Sequence, residues 1–168
     1  MKEIVITING KLYRLPMGRG VQGVMPSDTL SHTLRDTLGL TGTKTPCNKG
    51  ECGGCTVLLD GKPVLACSTL TVECNGHEVI TIEGVQNRKT GKLHPVQQAF
   101  LDVGAIQCGM CTPGIVMSSV ALLNNNPDPT EQDVREALAG NICRCTGYVK
   151  YVEGVLLAAK RMRSAEEE

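Results

Sequence analysis

The sequence has few aromatic residues and no excess of charge of either sign. Its 168 residues include no tryptophan, one phenylalanine and three tyrosines. A core of two small domains normally uses more large rings than this. Seventeen basic residues balance seventeen acidic ones. That balance argues against a face for nucleic acid or for an anionic membrane, because both need clustered positive charge.

Targeting and membrane-spanning segments are also missing. No apolar run approaches the roughly 18 residues that a membrane span needs. The first residues, MKEIVITING, mostly alternate polar and apolar side chains and are typical of a strand. They contain neither the pattern of a signal peptide nor a twin-arginine pair. We therefore expect a cytoplasmic protein without membrane insertion, while export as a passenger on another subunit stays open.

Cysteine, by contrast, is plentiful, and eight of the nine cysteines form two sets of four. The first set is spaced C-x4-C-x2-C-x11-C and the second C-x2-C-x31-C-x-C. Four thiolates are the ligands of a [2Fe–2S] cluster, and the first spacing is that of plant-type ferredoxins. Metal–thiolate bonds can also supply the folding energy that the missing rings do not. The predicted ligands are Cys47, Cys52, Cys55 and Cys67 in the first set and Cys108, Cys111, Cys143 and Cys145 in the second.

Two such sites in one small chain predict a protein that passes single electrons. No Ser/His/Asp group, pair of carboxylates or phosphate-binding loop stands out, so no catalytic residue is predicted. Cys74 belongs to neither set and is interpreted as a small buried apolar residue. The three histidines, at positions 32, 77 and 94, lack ligand spacing and are expected to be surface or capping residues.

The first three thiols lie in the glycine-rich loop 42–55. A buried cluster is negatively charged, so it needs backbone N–H donors directed at its sulfur atoms. Gly50, Gly53 and Gly54 can adopt positive φ, which would turn successive amides inward without a side chain in the way. Such hydrogen bonds also tune the reduction potential of a cluster.

The second set is predicted to assemble at one end of a group of helices. Pro113 suits the first turn of a helix that begins just after Cys111, and thiolates gain from the positive end of a helix. Cys143 follows after one helix, a loop and another helix, so both pairs meet at the same end. Arg144 either offsets cluster charge or is an ordinary surface arginine, and the two interpretations stand equal.

The order of predicted elements indicates an α+β fold. Asn9-Gly10 and Asp60-Gly61 predict two β-hairpins. We predict strands over residues 3–9, 12–15, 56–59, 63–67 and 79–82, and a helix that Ser27 or Asp28 caps and Gly39 ends.

After residues 86–92 the pattern becomes helical, which predicts a second domain built as a small bundle of four helices. Thr130 is predicted to cap the third of them, with Asp133 at the third helical position. We predict helices over residues 94–103, 114–123, 130–139 and 149–162, and domains over residues 1–86 and 87–163 with a disordered tail over residues 164–168.

Zinc and disulfides are the alternatives for the cysteines. Sites of four cysteines hold zinc well, but the first set with its glycine loop does not resemble a zinc ribbon or finger. Nine cysteines in 168 residues is below the density of a small secreted disulfide scaffold. Both alternatives weigh much less than the cluster interpretation.

Four motifs together resemble the small iron–sulfur subunit of the xanthine oxidase family of molybdenum hydroxylases. They are CNKGECGGC, the LAC of residues 65–67, QCGMCTPG and GNICRCTGY, and the resemblance covers about residues 3–160. In that family the first half is a plant-type ferredoxin (β-grasp) domain and the second an all-α four-helix bundle.

The resemblance implies a non-catalytic subunit of an oxidoreductase complex. A large subunit would hold molybdenum on a pterin, in bacteria usually the cytosine dinucleotide form, and a medium subunit would hold FAD. The assembly would be a dimer of heterotrimers of the xanthine dehydrogenase, aldehyde oxidoreductase or aromatic hydroxylase or reductase type. Electrons would pass from molybdenum to the second-set cluster, then to the first-set cluster, then to flavin, and some relatives run in reverse.

The resemblance also carries over two contacts with the pterin. Gln107 would hydrogen-bond it and Cys145 would touch it, although Gln107 could instead be a polar residue at a helix end. Pro46 departs from the family, which more often has glycine there, and it removes one N–H near the first cluster. The long loop 16–27 and His32 in the first helix also depart from the pattern.

A free-standing ferredoxin-like carrier or adaptor is the competing function. It would need one exposed cluster rather than a second domain, and soluble carriers are often acidic so as to steer docking. The neutral charge and the second thiol set favour the subunit of a larger enzyme. The sequence does not indicate the substrate of that enzyme.

Overall fold

The computed structural model describes residues 2–18, 20, 23–87 and 90–166. None of the helices in these ranges combines the length and the apolar character that crossing a lipid bilayer requires. The architecture is a mixed sheet with helices, which confirms the predicted α+β class.

Five strands form the sheet, and two tight turns close its hairpins. Asn9 and Gly10 both have positive φ between the first two strands, and Asp60 and Gly61 repeat this between the next two. The predicted hairpins are therefore confirmed. The strands are β1 (Glu3–Ile8), β2 (Lys11–Pro16), β3 (Thr56–Leu59), β4 (Lys62–Leu65) and β5 (Glu78–Ile80).

The strand order is β2-β1-β5-β3-β4, in which β1 and β5 are parallel and the other neighbours are antiparallel. Three strands end earlier than predicted, β1 by one residue and β4 and β5 by two each. Strand β4 ends at Leu65, which leaves Cys67 in the turn that follows. Strand β5 ends at Ile80, and Ile82 begins the short helix α2 (Ile82–Val85).

The predicted first helix is present but starts later. Helix α1 (Leu30–His32) continues as a π-helical turn over Thr33–Thr37. Its cap is Thr29, whose hydroxyl accepts the N–H of His32 at 3.3 Å. The predicted caps Ser27 and Asp28 are therefore wrong.

The reason lies in the preceding turn. The carboxylate of Asp28 accepts the N–H of Met25 at 2.8 Å, so it closes a turn of its own before the helix begins. Gly39 follows the helix with a φ of 71°, as expected for the residue that ends it. A short 3-10 helix, Thr71–Cys74, lies between β4 and β5.

The second half of the chain contains the four predicted helices. Thr130 and Asp133 form the predicted capping box, since each side chain accepts the backbone N–H of the other residue. The helices are α3 (Pro95–Asp102), α4 (Thr112–Asn125), α5 (Glu131–Leu138) and α6 (Val149–Glu166).

Helix α6 continues past its predicted end at residue 162. It includes residues 164–166 of the predicted disordered tail, so that part of the prediction is wrong. The other two residues of the tail lie outside the described ranges.

Two apolar cores lie on opposite faces of the sheet. Ile4, Ile6 and Ile8 of β1 are almost completely buried in the first core, as the two-residue period of a strand dictates. Val57 belongs to this core, whereas its neighbour Leu58 belongs to the second core, which the helices build. Helix α4 packs against β3 and β4. This packing brings the start of α4 close to the cysteine loop that precedes β3.

Candidate metal centres

The first thiol set is surrounded by a loop whose backbone turns towards sulfur. The N–H of Lys49 donates to Cys47 Sγ at 3.4 Å, and the N–H of Gly50 donates to Cys67 Sγ at 3.3 Å. Asn48, Gly50 and Gly53 adopt positive φ. The predicted inward amides are therefore present, with Asn48 rather than Gly54 as the third left-handed residue.

Gly54 has no positive φ, and a glycine is needed there because a side chain would not fit. A Cβ atom at this position would lie 2.7 Å from the Cδ atom of the Pro46 ring. The proline that removes an N–H next to Cys47 thus packs closely on the loop. The donors to Cys47 come instead from residues that follow it.

The thiols of the first set differ in their environment. Backbone N–H groups of Glu51 and Lys49 lower the pKa of Cys47 to about 6, with a further contribution from the Cys52 thiol. Burial raises the pKa of Cys55 to about 12, and the neighbouring Cys67 and Cys52 thiols add to the rise. The side chain of Cys47 contacts that of Cys52, and the side chain of Cys55 contacts that of Cys67.

The second thiol set also forms two pairs. The Sγ atoms of Cys108 and Cys145 lie 3.5 Å apart, and the thiols of Cys111 and Cys143 contact each other. All four line one cleft of about 160 Å³, together with Cys52 of the first loop. Cys111 is the N-cap residue of α4, and Pro113 lies in its first turn. The predicted meeting of the two pairs at one end of the helices is confirmed.

A hydroxyl group approaches each of the two buried thiols of the second set. Cys143 Sγ lies 3.2 Å from Thr146 Oγ1, and Cys111 Sγ lies 3.5 Å from the hydroxyl of Tyr151. Burial raises the pKa of Cys111 to about 11. Burial acts in the same direction on Cys143, but hydrogen bonds from the hydroxyl and N–H of Thr146 and from the N–H of Cys145 outweigh it and lower the pKa of that thiol.

Two residues near this set escaped the sequence analysis. Tyr151 contacts Cys111, and the hydroxyl of Tyr148 accepts the N–H of Cys143 at 2.9 Å. The available signal was the position of the tyrosines. The chain has only three, and two of them follow Cys145 within six residues.

This donor chemistry fits a [2Fe–2S] cluster at each set. Each iron of such a cluster takes two thiolates, and each set offers two thiol pairs with donors directed at sulfur. Across residues 2–18, 20, 23–87 and 90–166, no three or more side chains of His, Cys, Asp or Glu converge as ligands of a single ion. All nine cysteines lie within these ranges, and each is a free thiol.

The two sets lie against each other. The N–H of Ile142 donates to the carbonyl of Cys52 at 2.9 Å, and the buried side chain of Asn141 donates to the carbonyl of Gly53 at 3.0 Å. Helix α4 approaches so closely that a Cβ atom on Gly114 would lie 2.0 Å from the Gly53 carbonyl oxygen. The segment just before Cys143 is thus bonded to the loop of the first set.

Other predicted residues lie around these sites. Gln107 and Arg144 are exposed beside the second set. Cys74 is completely buried, as expected. Among the histidines, His94 caps α3 by accepting the N–H of Val96. The other two are exposed and pair with carboxylates, His32 with Asp36 and His77 with Asp60.

Comparisons with known proteins agree with both sites. Residues 29–93 match the family described as "2Fe-2S iron-sulfur cluster binding domain", and residues 81–156 match "[2Fe-2S] binding domain". The fold and the two thiol sets define an iron–sulfur protein with two clusters.

Three proteins that match this chain over most of its length show which iron–sulfur proteins it resembles. The nicotinate dehydrogenase small FeS subunit of Eubacterium barkeri is 46% identical over 81% of this chain and 85% of that protein. The nicotine 6-hydroxylase small subunit of Paenarthrobacter nicotinovorans is 44% identical over 92% of this chain and 87% of that protein. A chain of quinoline 2-oxidoreductase from Pseudomonas putida 86 is 38% identical, with a TM-score of 0.87 over 98% of this chain and 97% of that chain.

The chain therefore belongs to the small iron–sulfur subunits of the xanthine oxidase family of molybdenum hydroxylases.

Proposed function

We propose that the chain is the electron-relay subunit of a molybdenum hydroxylase-type dehydrogenase. It connects a molybdenum–pterin site in a large partner subunit with a flavin site in a medium one, and it has no catalytic residue of its own. The observation that carries this proposal is the direct contact of the two thiol sets. The N–H of Ile142, next to Cys143, donates to the carbonyl of Cys52 at 2.9 Å.

In this proposal each thiol set holds one cluster. The [2Fe–2S] cluster, when bound, supplies reversible one-electron oxidation and reduction. The ligands are Cys47, Cys52, Cys55 and Cys67 for the flavin-side cluster and Cys108, Cys111, Cys143 and Cys145 for the molybdenum-side cluster.

The protein atoms between the sets form a bonded route. It runs from the side chain of Cys52 through its carbonyl group, across one hydrogen bond to Ile142, and along the backbone to Cys143. Bonded atoms carry a tunnelling electron better than a gap does. Gly114 packs closely on Gly53, the residue next to Cys52.

The second set faces outwards, which supports its position next to the large subunit. Cys108 and Cys145 are exposed, and Met110 and Ile142, which line the same cleft, are 50% and 56% exposed. Exposed apolar side chains that cluster around a site are typical of a protein interface. We assign the pterin contacts to Gln107 and Cys145, since Gln107 is exposed directly beside Cys108.

The finer parts of the proposal rest on the family. They are a pterin in the cytosine dinucleotide form, FAD in the medium subunit, a dimer of heterotrimers and a cytoplasmic location. For the chain itself we propose a ferredoxin-type domain over residues 1–86 and a four-helix bundle domain from residue 87. Helices α3 to α6 support the second of these.

Co-purification from the native host tests the proposal. The tagged chain, isolated without oxygen at micromolar concentration, is expected to bring two larger subunits with it, and the eluate is expected to contain molybdenum and FAD. A chain that elutes alone with its clusters intact would contradict the proposal and identify a free-standing carrier. Measuring molybdenum, flavin and iron in the same fraction separates these outcomes.

A further inference from the structure

Tyr151 holds a hydroxyl group beside one sulfur of the second set. The residue lies in the first turn of α6 and is completely buried. Its hydroxyl oxygen is 3.5 Å from Cys111 Sγ and 2.9 Å from Thr112 Oγ1. Its ring packs edge-on against Phe100, with 5.0 Å between the ring centroids. The packing of the ring therefore fixes the position of the hydroxyl.

The chemistry of a metal-bound thiolate decides the direction of this hydrogen bond. Such a sulfur carries no proton, so it can only accept. A tyrosine hydroxyl has an ordinary pKa of about 10, so it carries its proton at neutral pH and can donate it. Thr112 can donate to the tyrosine oxygen, which leaves the tyrosine proton for Cys111. The result is a chain of donors from Thr112 through Tyr151 to Cys111.

We infer that Tyr151 raises the reduction potential of the second cluster by donating a hydrogen bond to the Cys111 thiolate. Reduction adds one negative charge to a cluster, and a donor at sulfur stabilises the more negative state more strongly. Tyr151 is thus a tuning residue that acts through a ligand. The inference rests on the proposed function, in which Cys111 is that ligand.

A matched control lies three residues away. The hydroxyl of Tyr148 accepts the N–H of Cys143 at 2.9 Å. Tyr148→Phe and Tyr151→Phe each remove one hydroxyl next to the second set and keep an aromatic ring. Only the second change removes a donor to sulfur. A general disturbance of the site would affect both variants alike, whereas tuning at Cys111 affects one.

The test is an anaerobic redox titration of the holoprotein, with the EPR signal of each cluster followed separately. Tyr151→Phe is expected to lower the equilibrium constant for reduction of the second cluster about tenfold, which is about 59 mV for a one-electron couple. The potential of the first cluster, the internal reference, is expected to stay unchanged. Tyr148→Phe is expected to give a much smaller shift.

The outcomes separate this inference from the proposed function. Two normal signals with an unshifted second cluster in Tyr151→Phe overturn the inference and leave the proposed function intact. A wild-type protein with no second cluster overturns the proposed function itself. An equal shift in both tyrosine variants also overturns the inference.

A second variant decides the case if Tyr151→Phe does not assemble its second cluster. Thr112→Val keeps the tyrosine but removes the donor behind it, so the equilibrium constant for reduction of the second cluster is expected to fall, by less than tenfold. If Tyr151 instead donated to Thr112, the same change would free its proton for sulfur and raise the potential. A rise or an unchanged potential in Thr112→Val therefore overturns the inference.

Discussion

The hydrogen-bond donors to sulfur come from different parts of the chain in the two thiol sets. Around the first set, backbone N–H groups of Lys49 and Gly50 donate to Cys47 and Cys67. Around the second, hydroxyl groups of Thr146 and Tyr151 lie at hydrogen-bond distance from Cys143 and Cys111. The first environment depends on the conformation of a loop and the second on the identity of side chains. Single substitutions can therefore adjust the second site without rebuilding its backbone.

The contrast has two partial exceptions. In the second set, the backbone N–H groups of Thr146 and Cys145 also donate to Cys143 Sγ. Ser68 Oγ lies 3.7 Å from Cys67 Sγ, so one hydroxyl also approaches the first set, at a longer distance.

Exposure separates the sets further. Cys55 and Cys67 are buried, whereas Cys108 and Cys145 of the second set are exposed. Cys47 and Cys52 of the first set are partly buried, and Cys111 and Cys143 of the second are buried, so the second set differs by its two exposed thiols.

Removing a ligand of one set is expected to have the largest effect, because it should remove one cluster and keep the other. Cys108→Ser or Cys143→Ser is expected to abolish the second cluster and leave the first assembled, because each set has its own ligands and its own donors. Iron per chain should fall from four to two, since each cluster contains two irons. Electron flow from molybdenum to flavin should stop.

The matched control for these variants is Cys74→Ala. This cysteine is completely buried and belongs to neither set, so all four irons should remain. A ligand variant that loses all iron would show that the two sites do not assemble independently. Flavin reduction at the normal rate in Cys108→Ser or Cys143→Ser would refute the proposed order of electron transfer.

Pushing the two sets apart is expected to have the next largest effect. In Gly114→Ala the new methyl group would overlap the carbonyl oxygen of Gly53, a backbone atom that cannot easily move. Overpacking of this kind costs about 1–3 kcal/mol of unfolding free energy. Electron exchange between the clusters should also become slower, because the hydrogen bond from Ile142 to Cys52 lies beside this contact.

Gly140→Ala is the control, since a Cβ atom there meets nothing within 4 Å. Chemical denaturation gives the stability of both variants, and rapid-freeze EPR gives the rate of exchange. If Gly114→Ala were as stable as the wild-type protein, the close packing of α4 on the first loop would be contradicted.

A smaller loss is expected at Asn141. Asn141→Ala removes the buried hydrogen bond to the Gly53 carbonyl. That carbonyl keeps the N–H and the hydroxyl of Thr56 as donors, so the expected cost is that of one hydrogen bond, about 0.5–1.5 kcal/mol. Gln132→Ala, which removes an exposed hydrogen bond to Glu136, is expected to change stability by less than about 0.5 kcal/mol. Equal effects on urea unfolding in the two variants would argue that Asn141 does not join the two halves.

The smallest expected effect is a pH dependence of the free energy of unfolding that arises at His94, the residue that caps α3. Burial lowers the pKa of His94 below 6.5, so the unfolded chain takes up a proton near pH 6.5 while the folded chain resists it. The contribution of His94 to the free energy of unfolding is therefore fully present above about pH 6.5 and is lost as the pH falls below it. His94→Asn keeps a capping side chain without this titration.

Urea unfolding between pH 5.5 and 7.5 checks this prediction. The wild-type protein should lose stability towards acid more steeply than His94→Asn does. Parallel curves for the two proteins would mean that His94 does not titrate on unfolding.

Short-range signals in the sequence predicted much of the fold. The two Asx-Gly turns located the hairpins, and the spacing of eight thiols located both sites. Helix α5 was predicted with its cap because Thr130 and Asp133 are close in sequence. The cap of α1 was misplaced because Asp28 satisfies Met25 instead, and three suitable capping residues follow one another there.

Contacts between distant residues could not be predicted in this way. Tyr151 lies 40 residues from Cys111, and the Ile142–Cys52 hydrogen bond joins two predicted domains. Such contacts depend on how α4 and α6 pack on the sheet, which no local pattern encodes. The family resemblance supplied the function, whereas the structure supplied the hydroxyl donors and the contact between the sets.

The central claim is that the two thiol sets hold two different clusters in one chain. Low-temperature EPR of the dithionite-reduced, anaerobically purified protein tests it most directly, with iron, sulfide and zinc measured on the same sample. We expect two distinct signals with four irons and four sulfides per chain. Bound zinc with no iron and no signal would contradict the claim and make both sets structural.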